Sequence, residues 1–533
     1  MFRAGSRHGL RYLANQIMNR VIAFAVLLVV IVPALFLIIN KVSAEDNIIN
    51  RLQRDIRLLC SQDFAGRDVP GQYGDKTAVW LKEQFERIGL EPGIDDNEYL
   101  QKVPLISARL DTENTSIEFA SKKGSLKLEW GENLYYFPRN IASFEKTVEL
   151  KFANYGITLP GENRFDFQGD FTGKAAVVFA GSGDLSRRKA GRFAMTAFKA
   201  VAARKAGAAM IIVVHKSDNP KRWLPPNDMA KIATAGNPLT DLPNSTPDFP
   251  VINANFSAVK DLLFDANMKP LPEFDAVTVS FKSGFKDHKD VYGYNVCGKL
   301  PGKSDEYLLL GAHYDHLGIE TEGEGETLVF FPGANDNATG IAGLLEVGRV
   351  WSQREKAERG LLLTAFTAEE DGMLGSKYFI NNLPVSIESI YTMVNLDMIG
   401  GKGFASMREA RQPDAEPDPD FANAYYSIGA PRLHEIIEST AKTGTLDLDI
   451  TSVGRFPYND GGPFHEKQIP TIHMFSGFDS DYSQITDTPD NLDWDKLMRL
   501  VLLTDQLLVN LNNEQGEIGF DPQIRSTGKG MKY

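Results

Sequence analysis

Three apolar runs in the block from about residue 286 to 515 each end in acid or imidazole. "YLLLGA" leads straight into His313, Tyr314, Asp315 and His316; "GLLLTAF" leads to Glu369 and Glu370; "IYTMVNL" ends in Asp397. Runs of this length that are apolar throughout, rather than alternating, read as strands buried on both faces. Helical stretches separate them, and strands alternating with helices imply a parallel sheet with helices on its faces. The segment "FPGANDNATGIAGLLEVGRVW" adds Asn335, Asp336 and Asn337 in a glycine-marked loop before a helix whose apolar face includes Leu344, Val347 and Trp351. His313, Asp336, the Glu369–Glu370 pair and Asp397 therefore collect at one edge, outside the carboxyl ends of the strands, where open α/β sheets bind ligands.

Taken singly, each of these residues has an ordinary explanation. An Asp after a strand is usually a helix cap, and a Glu-Glu pair is usually a solvated loop. The joint pattern is harder to explain that way, because apolar strands repeatedly deliver acids to the same edge. His313-x-Asp315 also has the spacing by which a carboxylate can orient a metal-binding imidazole. A carboxylate-rich site with one histidine suits zinc or a harder divalent ion, and adjacent acids allow one to ligate while the other serves as general base. The only cysteines, Cys60 and Cys297, exclude a thiolate zinc cluster and a disulfide framework; two buried free thiols are expected, with a single bridge as the alternative.

At 533 residues with 43% hydrophobic content, two or three folded domains are expected. A net charge of −13, from 57 basic and 70 acidic residues, excludes a general nucleic-acid binder and favours a cationic ligand. Residues 21–39, "VIAFAVLLVVIVPALFLII", form an uncharged apolar run preceded by Arg3, Arg7, Arg11 and Arg20. This pattern predicts a transmembrane anchor over 21–40 with residues 1–20 cytoplasmic and the bulk of the chain outside, periplasmic or extracellular. A signal peptide cleaved near Ala44, after "VSA", is the alternative and would release a secreted protein.

Residues 46–110 show two helical stretches around a Gly- and Pro-marked loop, with Leu81, Phe85 and Ile88 on one apolar face. Residues 111–285 read as a small α/β insert, in which the strands "KAAVVFAG" and "AAMIIVVH" flank the Ala-rich helix "MTAFKAVAARKAG". Residues 46–110 and 286–515 are then one domain interrupted by that insert, and 516–533 form a tail. "RQPDAEPDPDFAN" (411–423) is expected to be a polar surface loop.

The ordered segments "GAHYDHLG", "GANDNATG", "TAEEDGMLGS", "NLDMIG" and "NDGGPFHEKQIPTIHMFSGFDSDYSQITDTPD" resemble the zinc-dependent aminopeptidases and glutamate carboxypeptidases of the bacterial leucyl aminopeptidase type. "DFAGRDVPG" and "LKEQFERIGLEP" resemble that family's N-terminal segment, and "FANYGI", "GKAAVVFAGSG" and "AGAAMIIVV" resemble its inserted protease-associated domain. The resemblance implies a zinc exopeptidase fold: an α/β, parallel-rich mixed sheet flanked by helices, with the insert and an N-terminal membrane helix. It implies that His313 and Asp397 hold one metal, and that Asp336 bridges to a second held also by Glu370. Glu369 matches the general base, Tyr482 the phenol that stabilises the oxyanion, and Asp315 the residue that orients His313. Peptides are the implied substrates, and the membrane, through the N-terminal segment, is the other expected partner.

Ser483 departs from the pattern, because it stands where the family has the second metal's histidine. A hydroxyl is a far poorer zinc ligand than imidazole. One tightly bound zinc is therefore expected, with the second site weak or taken by magnesium, manganese or calcium. His465 is the nearest candidate by sequence to fill the gap, and His473 reads as a core histidine. Two other functions stay open: a binding ectodomain with weakened or lost catalysis, and a single-zinc acyltransferase similar to glutaminyl cyclases.

Overall fold

The computed structural model describes residues 47–524, apart from 132, 137–142, 195, 217–229, 235–248, 323–326, 411, 413 and 457–458. The expected anchor or signal segment at 21–40, the segment before it, the cleavage point near Ala44 and the end of the tail lie outside the described residues. Among the described residues no helix is long and apolar enough to cross a membrane. The chain divides into two compact units. The first comprises the described residues up to Gln101, Val296–Thr367 and those from Ile380 on; the second comprises Lys102–Asn295 and Ala368–Phe379.

The first unit is built on strands β1 (Phe285–Leu300, which enters this unit at Val296), β2 (Tyr307–His313), β3 (Gly360–Phe366), β4 (Ile390–Leu396), β5 (Phe421–Ser427), β6 (Asp447–Val453) and β7 (Thr471–Phe475). They are ordered β1-β3-β2-β4-β7-β5-β6. Strand β2 is parallel to both β3 and β4, β4 to β7, and β5 to β6, while β1 on β3 and β5 on β7 are antiparallel. This is the parallel-rich mixed sheet that the family resemblance implies, with two antiparallel pairings that the strand-helix alternation alone does not foresee. Leu308, Leu309 and Leu310 of β2 and Leu361, Leu362 and Leu363 of β3 are fully buried, and each contributes on the order of 2 kcal/mol of hydrophobic stabilisation.

Helix α1 (Gln72–Ile88) buries Leu81 and Phe85, half-buries Ile88 and stops at Gly89, whose φ of +89° admits the left-handed cap. Helix α2 (Thr339–Ser352) follows the Asp336 loop and buries Leu344, Val347 and Trp351; every residue from Thr339 to Gly348 is also buried. Helix α3 (Trp494–Asn513) starts where the Asp493 side chain accepts the Lys496 N–H. Cys60 and Cys297 are both buried and free. The predicted loop at 411–423 ends earlier than expected. Strand β5 begins at Phe421, because "FANAYYS" brings Ala422 and Asn423 into a buried strand beside β7.

The second unit has an eight-stranded sheet, ordered Gly124–Glu129, Ser116–Ser121, Thr278–Ser283, Phe144–Phe152, Ala175–Phe179, Met210–His215, Val251–Asn255 and Leu134–Tyr136. The two apolar runs read as strands pair in parallel, with Met210 opposite Ala175, and the Ala-rich stretch between them supplies the helix Thr196–Lys205. The division between units falls at 101/102 and 295/296, inside the strands Leu100–Leu110 and β1. The sequence boundaries of 110/111 and 285/286 lie at the far ends of those strands.

Candidate metal centre

Strand register sets the first feature of the site. Gly311 of β2 lies opposite Asn395 of β4, and His313 lies opposite Phe366 of β3. Two residues further along, His313 and Asp397 leave the sheet at the same level. Strands β3 and β4 flank β2 on opposite sides, which makes the end of β2 a topological switch point. There the His313 Nε2 atom lies 3.3 Å from Asp336 Oδ1 and 3.5 Å from Asp397 Oδ1. His313 and Asp336 are buried, and Asp397 is nearly so.

The other ring nitrogen shows how the imidazole is held. His313 Nδ1 is 3.2 Å from the Asp315 main-chain oxygen, whereas the Asp315 carboxylate is 3.9 Å away. Asp315 thus orients the ring through its carbonyl more closely than through the acid that the motif suggested. With Nδ1–H donating to that carbonyl, Nε2 turns its lone pair toward two carboxylates. Three electron-pair donors facing one point are stable together only around a cation or a proton, and one imidazole with two carboxylates is a donor set that suits zinc. These residues fit a divalent metal. Burial pushes the Asp336 carboxyl up, but when a proton rather than a cation lies between the two, the Nε2–H of His313 donates to Asp336, and that bond with the charges of His316, His313 and Arg67 outweighs burial and holds the acid below the ordinary aspartate value.

Main-chain clamps fix the Asp336 loop. The Asn337 amide is fully buried and donates to His313 O at 3.3 Å and Leu396 O at 3.0 Å, while its oxygen accepts the N–H groups of Gly340 at 3.0 Å and Met398 at 3.1 Å. One side chain therefore joins the ends of β2 and β4 to the start of α2. A Cβ at Gly340 would come 2.4 Å from Asn337 Oδ1 and 2.6 Å from Leu396 O, so this approach requires glycine. Asn335 accepts from Gly400 N and donates to Asp479. The Asp487 carboxylate accepts the N–H groups of Asn335 and Asp336; burial raises its pKa to about 7 against those two bonds. The buried Arg67 guanidinium donates to the carbonyls of Leu59, Tyr314, Pro332 and Gly333, linking both ligand loops to the N-terminal segment.

The remaining sequence candidates are distributed as follows. Glu369 and Glu370 open the segment Ala368–Phe379, which packs with the second unit. They follow the end of β3 by only a few residues, and the Glu369 carbonyl accepts from Gly372 and Met373 in a tight turn. Tyr482 is half-buried, with its ring 6.4 Å from Phe478 in an edge-on packing. Ser483 is half-buried at a φ of +55°. His465 lies elsewhere: its Nδ1 is 2.9 Å from Ser427 Oγ, and its ring packs edge-on against Phe456 and Phe520. His473 is a core residue, 3.2 Å from Asn395 Nδ2 and stacked on Tyr425 and Phe475. Sequence reasoning gave no role to Arg67, Asn337, Asp487 or His316. The N-D-N triplet and the buried arginine of "AGR" carried the available signal.

Residues 295–507 match Peptidase family M28. The chain is 30% identical over 190 residues to leupeptin-inactivating enzyme 1 of Streptomyces exfoliatus, covering 35% of this chain and 36% of that protein. It is 30% identical over 128 residues to leucine aminopeptidase 1 of Grosmannia clavigera, covering 22% of this chain and 30% of that one. It thus spans about a third of the length of these curated relatives. Among solved structures, an aminopeptidase from Aneurinibacillus sp. strain AM-1 superposes with a TM-score of 0.53 at 19% identity, over 90% of this chain and 97% of that chain, and so shares its fold.

Proposed function

Residues 295–507 form a Peptidase family M28 domain, and from that premise we propose that the protein is a metal-dependent aminopeptidase acting on peptides with a free N-terminus. The observation that carries this reading is the convergence of His313 Nε2, Asp336 Oδ1 and Asp397 Oδ1 on one point. Zinc bound by these residues would supply Lewis acidity toward a scissile carbonyl and toward water. The protein's own groups do the rest. Asp315 and Asn337 hold His313 and the two ligand-bearing loops in place, so that little rearrangement is needed when substrate arrives. Glu369 takes the proton of the attacking water at its carboxylate and delivers it to the leaving amine. The Tyr482 hydroxyl donates to the oxygen that gains negative charge. Glu370 completes the acid set. The retention of His313, Asp336, Glu369, Glu370, Asp397 and Tyr482 supports catalysis over a binding-only ectodomain.

The same proposal includes residues 111–285 as a protease-associated insert, and the large domain outside the cytoplasm, anchored by 21–40 or released near Ala44. Supporting this are the arginines before the apolar run and the insert's sequence resemblance. Protease added to spheroplasts should digest the large domain, and its survival would place that domain inside. For the reaction, zinc-loaded protein should release amino acids from free peptides and leave N-terminally blocked ones intact. Glu369→Gln should lower kcat by roughly 10²–10⁴-fold with zinc content unchanged. Equal turnover by that variant would remove Glu369 from its role. Preference for blocked peptides with an acidic C-terminus would indicate a carboxypeptidase, and conversion of N-terminal glutamine peptides without hydrolysis would indicate a cyclase.

A further inference from the structure

Ser483 poses a problem of ligand count, and His316 offers a solution. His316 lies three residues past His313 on the loop that leaves β2, and it is buried despite its position on a loop. One of its ring nitrogens lies within 4.8 Å of an Asp336 carboxylate oxygen. Asp336 Oδ1 is the oxygen that faces His313, and a carboxylate has a second oxygen with lone pairs of its own. The backbone has a space shaped for the ring. Gly333 adopts a φ of +57°, and a Cβ there would come 2.5 Å from His316 Cδ2 and 2.3 Å from Asp336 O. Its carbonyl is fixed by Arg67 Nη2 at 2.9 Å. Only a glycine leaves room for the imidazole at this point, and the strand end and the Arg67 bonds hold both sides of the space. This arrangement holds a ring in one orientation beside the bridging acid, which is what a metal-binding imidazole needs.

We propose that His316 is the imidazole ligand of a second divalent ion shared through Asp336, taking the part that Ser483 cannot fill. The inference rests on the metal-centre reading above and changes its expected stoichiometry. With His316, Asp336 and, by resemblance, Glu370, the second position has three protein ligands including an imidazole, the same count as His313, Asp336 and Asp397. Two zinc ions per chain are then expected in place of one tight and one weak.

The test uses the whole protein, zinc-loaded and then dialysed, with metal counted by mass spectrometry. Wild type should retain two zincs, His316→Gln one, and Ser483→His should gain nothing. One zinc in wild type and one in His316→Gln would overturn the inference and leave the His313 centre standing. Two in both would also overturn it. No zinc in wild type would overturn the metal reading itself. Cobalt supplies a readout that a purely structural role for residue 316 would not move. In His316→Cys loaded with cobalt, a thiolate-to-metal charge-transfer band should appear in the near ultraviolet, and its absence in a folded, cobalt-binding variant would refute the assignment even if His316→Gln fails to fold.

Discussion

Asn337 is the point at which fold and site can be disturbed together. Replacing it by alanine leaves four buried main-chain partners without their side-chain bonds: the carbonyls of His313 and Leu396 and the N–H groups of Gly340 and Met398. Each orphaned buried group costs about 1–3 kcal/mol, and the carbonyls keep a second lone pair for other partners, so the low end applies and the total is about 4 kcal/mol. That is a large part of the 5–15 kcal/mol available to a typical domain. Asn337→Asp separates the contributions. It keeps the two acceptances, loses the two donations and turns an oxygen toward two carbonyl oxygens, for a cost of roughly 2–4 kcal/mol. Urea unfolding should be followed in the presence of a chelator, so that metal binding does not add to the stability of the native state. Zinc affinity, measured separately, should fall by roughly 10–100-fold in both variants, because the ends of β2 and β4 lose their common tie. If both variants unfold within about 1 kcal/mol of wild type and bind zinc as tightly, the reasoning that this amide sets the site is wrong.

Two further outcomes test the packing within each unit. Burial depresses His473 to about pKa 4, so the unfolded chain takes up this proton first as pH falls. Stability should be full above about pH 6.5 and should decline toward pH 4 by on the order of 3 kcal/mol more in chelated wild type than in His473→Gln; parallel pH profiles for the two proteins would contradict this. In the second unit, the fully buried Lys199 ammonium donates to the carbonyls of Tyr155, Phe179 and Gly181 at 2.6, 2.8 and 2.6 Å. Lys199→Met should therefore destabilise that unit by about 3 kcal/mol in calorimetry, and an unchanged melting temperature would mean that water replaces the lost bonds.

What could be read from the sequence was local or periodic. The apolar runs at 307–312, 360–366 and 390–396 lie in β2, β3 and β4, and the expectation that His313, Asp336 and Asp397 gather at one edge followed from strand direction and from the loop that opens α2. What could not be read depended on pairings through space. Nothing in "AGR" shows that Arg67 reaches carbonyls 247 to 266 residues away. Nothing in "NDN" tells which asparagine binds the loops together. His316 looked like a second polar residue after a strand, because its relation to Asp336 depends on how the loop folds back against Gly333. The packing units divide at 101/102 and 295/296, partway along strands, where the sequence carries no turn signal for the change of packing partner.

The four carbonyls bound by Arg67 also bear on how the molecule is made. Tyr314, Pro332 and Gly333 leave the ribosome 247, 265 and 266 residues after the arginine that they cap. At about 5–20 residues per second, Arg67 waits roughly 12–50 s before its first distant partner exists. A guanidinium cannot be buried without partners at tolerable cost, so the N-terminal segment must stay open while residues 102–295 emerge complete. Synthesis order then favours the Lys102–Asn295 part of the second unit folding first, and the loops around His313 are fixed late, when Arg67 reaches its partners on the far side of that stretch.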